Sequence, residues 1–412
     1  MLLYRLGIRL YYLAIRLAAV NNAKARKWLD GRRNGLERIS QWRKSNEGKL
    51  LVVHASSLGE YEQGRELIQW WRQKHPDWKV VVTFFSPSGY DHFKLGEADA
   101  HFYLPIDTRR NVRAFLDAIE PSLFVFVRYD FWLELIDGLK QRSIPSAVVS
   151  AFFRNDMWFM KPWASWALRR IGQLDAILTQ NEESVRVLKA HGIVHARCTG
   201  DGRIDRVAQL ADSLTELPWL EQFKSDRFLI IAGSPWEPDE DRLIPLIDHQ
   251  VDTAFLIAPH EVGKVHVDRL MKRLSGFKTA RWTELKKGQD LSIYQVLVLD
   301  TIGLLSSCYR YGDLAFIGGG YTTGIHSIQE PAAHSCPVLF GPKHNRFPEA
   351  NTLIERGGAW EIETPEELQQ KVGWLRSNNE QRQKATQICR AFIEENRGAS
   401  QRIGQALEEF IR

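Results

Sequence analysis

The feature that most constrains this chain is a rhythm that occurs twice. Short, near-continuous apolar runs alternate with helical stretches. In the first half Leu50–Ser56 (LLVVHAS) reads as a strand and Glu60–Lys74 as a helix. Val80–Phe85, His101–Pro105, Leu123–Val127, Ala147–Ala151 and Ala176–Gln180 read as further strands, with helices from about Thr108 and over Phe131–Gln141. In the second half Phe228–Ala232, Ala254–Ala258, Val296–Asp300, Leu314–Ile317 and Val338–Phe340 are strands. Helices are expected from Glu237 and Lys264, over Leu304–Tyr309, over 364–377 and over most of 380–412. Strands apolar on both faces belong in a parallel sheet covered by helices on each side.

At 412 residues the chain exceeds one ordinary core, so two domains are expected. The polar, strandless stretch 206–226 reads as the linker between an N-terminal domain, 49–205, and a C-terminal domain, 227–412, whose last helix is a candidate to cross back. Ligands of such sheets bind at the carboxyl ends of the strands. The expected fold is α/β: two Rossmann-like parallel-sheet domains facing a central cleft, the arrangement called GT-B. Transferases and non-transferases share it, so fold alone does not decide function.

Residues 1–48 form a third, basic segment. Residues 1–49 hold twelve Lys/Arg against three Asp/Glu, a net +9, while the remainder is at −4 within a total of +5. On a helical wheel Arg5, Arg9 and Arg16 fall at about 140°, 180° and 160°, one narrow stripe on an otherwise apolar helix. A spanning helix would take Arg9 into hydrocarbon at a cost of several kcal/mol. A helix lying in the interface keeps the stripe wet, and the run Lys24, Arg26, Lys27, Arg32, Arg33 meets anionic headgroups. The plainer alternative is a helix packed on the protein's own core. An anionic membrane surface, contacted through residues 1–33, is the expected partner. Nucleic acid is not, since no recognised binding motif accompanies the charge. The cysteines, at 198, 308, 336 and 389, fit neither a zinc site nor a disulfide framework, and point to a reducing compartment.

Two segments carry candidate chemistry. After the strand at Leu50, the turn Ser56-Ser57-Leu58-Gly59 delivers Glu60 to a helix start at a strand's carboxyl end, where a carboxylate can serve as general base. The helix dipole favours its charged form and weakens it as a base unless apolar surroundings compensate. An ordinary first-turn glutamate is the plainer reading. In the second half a strand runs into Gly318-Gly319-Gly320, and a helix is expected from about His326 or Ser327, with Ser327 placed to cap it. Three glycines let backbone approach an anion, and a helix N-terminus offers N–H groups to a phosphate. Glu330, a turn further on, could accept from ribose hydroxyls; a tight turn without a ligand is the alternative. Ser234 and the pair Pro259-His260 end two other strands. No metal-ligand spacing and no D-x-D pair is present, so neither metal nor cofactor is expected.

With these residues in hand, the chain resembles the 3-deoxy-D-manno-octulosonic acid (Kdo) transferases, glycosyltransferase family 30. The resemblance is strongest in His54–Glu60 and in Gly312–Gly341, the latter similar to the family's strand, glycine turn and G-x-H-N-x-x-E-P-A block. It implies CMP-Kdo as donor, a lipid A precursor as acceptor, and an inverting, metal-independent reaction at the cytoplasmic face of the bacterial inner membrane. Glu60 matches the general base. Gly318–Gly320, His326 and Glu330 match the donor site, with Ser234, Pro259, His260 and Ser327 as further donor-side candidates. Ser57, Gly59, Asp130 and Arg203 are acceptor-side or cleft candidates. There are departures. The family's E-T-E-x-W segment is Arg128-Tyr-Asp-Phe-Trp132, so Asp130 stands one methylene short of the second Glu and Arg128 reverses the first charge. Ser327 replaces Asn, Pro259-His260 lacks the family's intervening Arg, and Arg203 stands where many members have Lys. A UDP-sugar transferase or epimerase, and a non-catalytic sugar-nucleotide-binding protein, are the competing readings.

Overall fold

The computed structural model describes residues 1–411 apart from Leu95, Leu214, Thr215 and Val251. The chain divides into two compact units, Met1–Asp205 with Gly398–Arg412, and Arg206–Arg397.

The first unit is built on seven parallel strands. They are β1 (Leu50–Ala55), β2 (Lys79–Phe84), β3 (Ala100–Tyr103), β4 (Leu123–Val127), β5 (Ser146–Ala151), β6 (Ala176–Thr179) and β7 (Ala196–Cys198). Their order is β3-β2-β1-β4-β5-β6-β7. β1 and β4 are buried throughout because both faces are covered. The two-residue period sends Leu50, Val52, Phe124 and Phe126 to one face and Leu51, Val53, Leu123 and Val125 to the other. The first face packs against Ile39 and the helices Arg109–Ile119 and Leu133–Gln141. The second packs against Leu58–Lys74 and against Ile403 and Leu407 of the C-terminal helix Ala399–Glu408. Asp205 fixes that helix by accepting from the N–H groups of Gly398 and Ser400, both at 2.6 Å. Gly398, at φ +79°, interrupts the long helix expected over 380–412.

The second unit has its own seven parallel strands. They are β8 (Phe228–Gly233), β9 (Thr253–Ala258), β10 (Thr279–Arg281), β11 (Val296–Val298), β12 (Leu314–Ile317), β13 (Val338–Phe340) and β14 (Ala359–Glu361), in the order β10-β11-β9-β8-β12-β13-β14. One of its faces packs Ile230, Phe255, Val296, Phe316 and Leu339 against Leu243, Leu270 and Leu368. Residues 206–226 hold most of the helix Gly202–Asp212 and all of Pro218–Lys224.

Several expected boundaries shift by a residue or two, among them the helix expected from Glu60, which begins at Leu58, and two further helix starts move for reasons set by hydrogen bonds. The helix after β4 begins at Leu133 rather than Phe131, because its first N–H groups are capped from elsewhere: Glu134 and Leu135 donate to the buried carboxylate of Asp107, each at 2.9 Å. The helix after the glycine turn begins at Gln329 and is five residues long, so Ser327 does not cap it. The intervening backbone is held in turns instead: Thr322 and Gly324 donate to the carbonyl of Gly319, and His326 to that of Gly318.

The N-terminal helix, Leu2–Ala18, is docked along one side. Tyr4, Ile8, Tyr12 and Ile15 are half-buried, whereas Leu2, Leu3, Leu6, Leu10, Leu13 and Leu17 are exposed. Arg5 leaves the expected wet stripe. Its Nε donates to Glu134 at 2.5 Å, and that carboxylate is buried. The Tyr4 hydroxyl donates to Asp107, also at 2.5 Å, and Tyr11 stacks on Phe85. Every one of these partners follows the carboxyl end of a strand: Phe85 after β2, Asp107 after β3, Glu134 after β4. The helix therefore lies at the same end of the sheet as Glu60. Among the described residues no helix is long and apolar enough to cross a membrane.

Candidate active site

In the first unit the carboxyl end of β1 gathers several polar side chains. Ser57 is the extended residue before helix Leu58–Lys74, and Glu60 is the third residue of that helix, a Ser-x-x-Glu start. The Ser57 hydroxyl donates to the Glu60 carboxylate rather than capping the helix. Glu60 is half-buried and Gly59 beside it is exposed.

One residue earlier, Ser56 donates to Asp130. His54, fully buried on β1, places Nε2 2.7 Å from Asp130 Oδ2 and Nδ1 3.1 Å from the carbonyl of Thr83. Trp132 Nε1 donates toward the same Asp130 oxygen at 3.1 Å. Burial alone would raise the Asp130 carboxyl, but hydrogen bonds from His54, Ser56 and Trp132 outweigh it and hold the group below the ordinary carboxylate range. Asp130, Ser57, Gly59 and Glu60 are thus brought to the carboxyl end of the sheet, beside its central strands β1 and β4. Arg128, where the family pattern has a Glu, adopts φ +72° and lies over the Tyr129 ring.

Arg203 follows β7. Its guanidinium is engaged by Asp201, with Nε at 2.8 Å. Gly202 packs so closely on the carbonyl of Gln63 that a Cβ would come within 2.7 Å of it. Gln63 lies one turn beyond Glu60, so the Asp201–Arg203 segment is drawn toward the same helix.

In the second unit the three glycines each meet protein. A Cβ on Gly318 would lie 2.3 Å from the carbonyl of Ser234, and one on Gly320 2.5 Å from the backbone of Gly341. Gly319 is at φ +92°. Two of their N–H groups are already used, Gly318 donating to Gly233 and Gly319 to the buried carboxylate of Asp239, each at 2.9 Å. The turn therefore lets strand ends close on one another; it is not an open cradle of N–H groups, and the five-residue helix after it offers no extended N-terminus. Ser234 carries its own left-handed backbone, φ +54°.

Around this turn three rings form a stack. Trp236 lies 4.1 Å from His260, and His260 4.5 Å from His326, centroid to centroid. Pro259 directly precedes His260 at the end of β9. Trp236 Nε1 donates to His326 Nε2 at 3.1 Å, which assigns the His326 proton to Nδ1. Burial, reinforced by His260, pushes His326 down to about 4, so the ring is neutral at pH 7. Glu330 is held by the hydroxyls of Ser327 and Ser306, and burial raises its carboxyl above the ordinary range. Ser234, His260, the glycine turn and His326 are thus brought together, with Ser327 and Glu330 as an adjoining pair.

The sequence offers no sign of a role for Trp236 or Asp239, and it places His54 and Trp132 within the resembling segments without a site role. Trp236 and Asp239 flank Glu237 and Glu240 in the segment after β8, so the residue types were visible but not which of them would turn inward.

Residues 33–206 match the family described as 3-deoxy-D-manno-octulosonic-acid transferase (kdotransferase). The 3-deoxy-D-manno-octulosonic acid transferase of Haemophilus influenzae is 26% identical over 385 residues, covering 88% of this chain and 87% of that protein. The protein of the same name from Aquifex aeolicus is 23% identical over 363 residues, covering 84% and 92%. Among solved structures, the UDP-GlcNAc 2-epimerase from Neisseria meningitidis bound to UDP-GlcNAc superposes with a TM-score of 0.62 at 17% identity, over 88% of this chain and all of that one. At that identity the likeness shows the fold alone, two Rossmann-like units of the GT-B type. The relatives named for Kdo transfer run through both units, and this chain, a glycosyltransferase, is similar to the Kdo transferases over most of its length.

Proposed function

We propose that the protein transfers Kdo from CMP-Kdo to a lipid A precursor in lipopolysaccharide biosynthesis, with inversion at the anomeric carbon and Glu60 as general base. The observation that carries this reading is the position of Glu60. It is a half-buried carboxylate at the carboxyl end of β1, steadied by Ser57, at the same end of the sheet as the leucine-faced N-terminal helix. In the reaction the acceptor hydroxyl oxygen attacks the anomeric carbon of Kdo. The bond from that carbon to the phosphate oxygen breaks, CMP departs with the electron pair, and Glu60 takes the hydroxyl proton. A single displacement of this kind inverts the centre. A departing monophosphate carries less charge than a diphosphate, and no metal is called for.

On the donor side, His326 supports the assignment because its Nδ1–H is free of the Trp236 bond and can donate to a phosphate or carboxylate oxygen of CMP-Kdo. Glu330 is suited to sugar hydroxyls, with Ser327 beside it. Gly318–Gly320, Ser234, Pro259 and His260 shape the proposed donor site of the second unit. Ser57, Gly59, Asp130 and Arg203 are assigned to the acceptor side. The membrane reading rests on the leucine face of helix Leu2–Ala18 together with the exposed cations Arg9, Arg16, Lys24, Arg26, Lys27 and Arg33, whereas Arg32, expected among them, is turned inward onto the carbonyls of Phe85 and Leu104; the proposed location is the cytoplasmic face of the inner membrane.

The test is a transfer assay with CMP-Kdo made in situ and a tetraacylated lipid A precursor, read by mass spectrometry. Wild type should add Kdo, and Glu60→Ala and Glu60→Gln should lose about 10²–10⁴ in rate while still binding donor. No product from wild type beside a working control transferase would overturn the donor or acceptor assignment, and UDP-sugars would be screened next. Full activity in both variants would remove Glu60 from the chemistry.

A further inference from the structure

The segment between β5 and helix Ser165–Ile171 contains a feature that the transfer reaction does not use. It reads FFRNDMWFMKPWA, residues 152–164. Trp158 is 46% exposed and Trp163 69% exposed. Large aromatics left in water on a folded surface call for a partner. The two indoles lie side by side, their centroids 6.3 Å apart and their planes at 25°. Trp158 also meets Trp166 at 6.2 Å, and Trp166 meets Tyr4 of the N-terminal helix at 6.3 Å. An unbroken line of rings, Trp163–Trp158–Trp166–Tyr4, therefore joins the loop to the helix whose leucines face outward.

Three observations favour one occupant, an anionic lipid bilayer. Indoles combine an apolar body with an N–H that prefers the headgroup level. The loop carries Arg154 and Lys161 against a single acid, Asp156, and Arg169 is exposed just beyond it. Beside the loop runs a groove of about 410 Å³ whose lining includes Phe159, Met160, Leu168 and Ile193 together with Lys161 and Arg169, apolar and cationic groups suited to a phospholipid.

We infer that Trp158 and Trp163 are a second point of membrane attachment, and that with the leucine face of helix Leu2–Ala18 they seat the carboxyl end of the first unit's sheet against the bilayer. The inference rests on the membrane reading of the N-terminal helix. One point of attachment leaves a protein free to swing; two, joined through a rigid aromatic line, set its orientation. The loop follows β5 at the same end of the sheet as Glu60, so this orientation turns the proposed base toward the lipid surface in which an acylated acceptor resides.

The experiment compares the full chain with Trp158→Ala/Trp163→Ala and with Leu6→Ser/Leu10→Ser/Leu13→Ser, on vesicles of phosphatidylethanolamine and phosphatidylglycerol carrying brominated acyl chains. Partitioning is read by flotation, indole depth by fluorescence quenching, folding by thermal melting, and mass in solution by sedimentation. The tryptophan variant should melt like wild type, bind vesicles at least about tenfold more weakly, and lose the brominated-lipid quenching. Trp158→Phe/Trp163→Phe should recover part of the binding. If the tryptophan variant binds as wild type does while the leucine variant does not, the second attachment point is wrong and the membrane reading of the helix stands. If wild type does not bind, both fall. If the tryptophan substitutions instead convert a dimer to a monomer without changing vesicle binding, the surface belongs to a second copy of the chain and the inference is overturned.

Discussion

His54 Nε2 lies 2.7 Å from Asp130 Oδ2, across 76 residues of chain, and the contact ties the end of β1 to the loop after β4. Asp130 is held below the ordinary carboxylate range, so its charged form stabilises the fold. That contribution is fully present above the unfolded carboxyl value of about 3.9 and is lost as pH falls through the lower folded value. Asp130→Asn should therefore cost about 1–3 kcal/mol in urea unfolding at pH 7. The gap from wild type should narrow toward pH 3. A gap independent of pH would mean that the charge of Asp130 contributes nothing.

Asp107 behaves in the opposite sense. Burial pushes its carboxyl up to about 6, despite hydrogen bonds from Tyr4, Glu134 and Leu135. The folded state therefore holds its proton more tightly than the unfolded state, and stability declines as pH rises from about 3.9 toward 6. Above pH 6 the Tyr4 hydroxyl faces a buried anion. Tyr4→Phe should then cost about 1–3 kcal/mol at pH 7.5 and clearly less at pH 4.5. Hydrogen exchange at the amides of Glu134 and Leu135 would localise the loss, and equal protection in both proteins at pH 7.5 would refute it.

The glycines near the two candidate centres should respond differently to alanine. A Cβ at Gly318 has nowhere to go between Ser234 and Pro235, so Gly318→Ala should cost about 1–3 kcal/mol. Gly59 is helical, and a Cβ there would find only the Ser57 hydroxyl, at 3.9 Å. Gly59→Ala should raise stability by about 0.5–1 kcal/mol. Thermal melts of the two variants check the signs. A stabilised Gly59→Ala with reduced transfer would place the acceptor against that position.

His326 should remain neutral through the physiological range. Its folded value of about 4 lies below the unfolded value near 6.5, so the stability it contributes is intact above about pH 6.5 and drains away between 6.5 and 4. Nuclear magnetic resonance of selectively labelled histidine should show the His326 ring unchanged from pH 8 to 5.5, with the proton on Nδ1. Titration near 6.5 would place the ring in water and remove the bond from Trp236.

The architecture was legible in the sequence because buried parallel strands need apolar residues on both faces. Eleven strand segments were readable on that ground. The strands left out are β7, β10 and β14, each three residues long and each at the edge of its sheet. ARC, TAR and AWE carry no apolar run, since an edge strand is covered less and its backbone pairing needs no particular side chain. Glu60 was legible because its place depends on local order alone: strand, small-residue turn, helix start.

What depended on distant contacts was not legible. The glycine turn read first as an anion cradle, with a tight turn of the backbone as the alternative. Ser234, Asp239 and Gly341 decide for the crossing, and they stand far from it in the chain. The arginine stripe of the N-terminal helix read as a wet face, and Glu134, more than a hundred residues on, takes Arg5 out of it. The sequence by itself determined the period of each element, and with it two parallel sheets and a carboxylate at the end of β1. Only the tertiary structure decided which polar groups meet. Periodicity is set by each residue's own neighbours, whereas a buried charge or N–H must be satisfied by whatever the fold brings to it, and that partner leaves no mark in the local sequence.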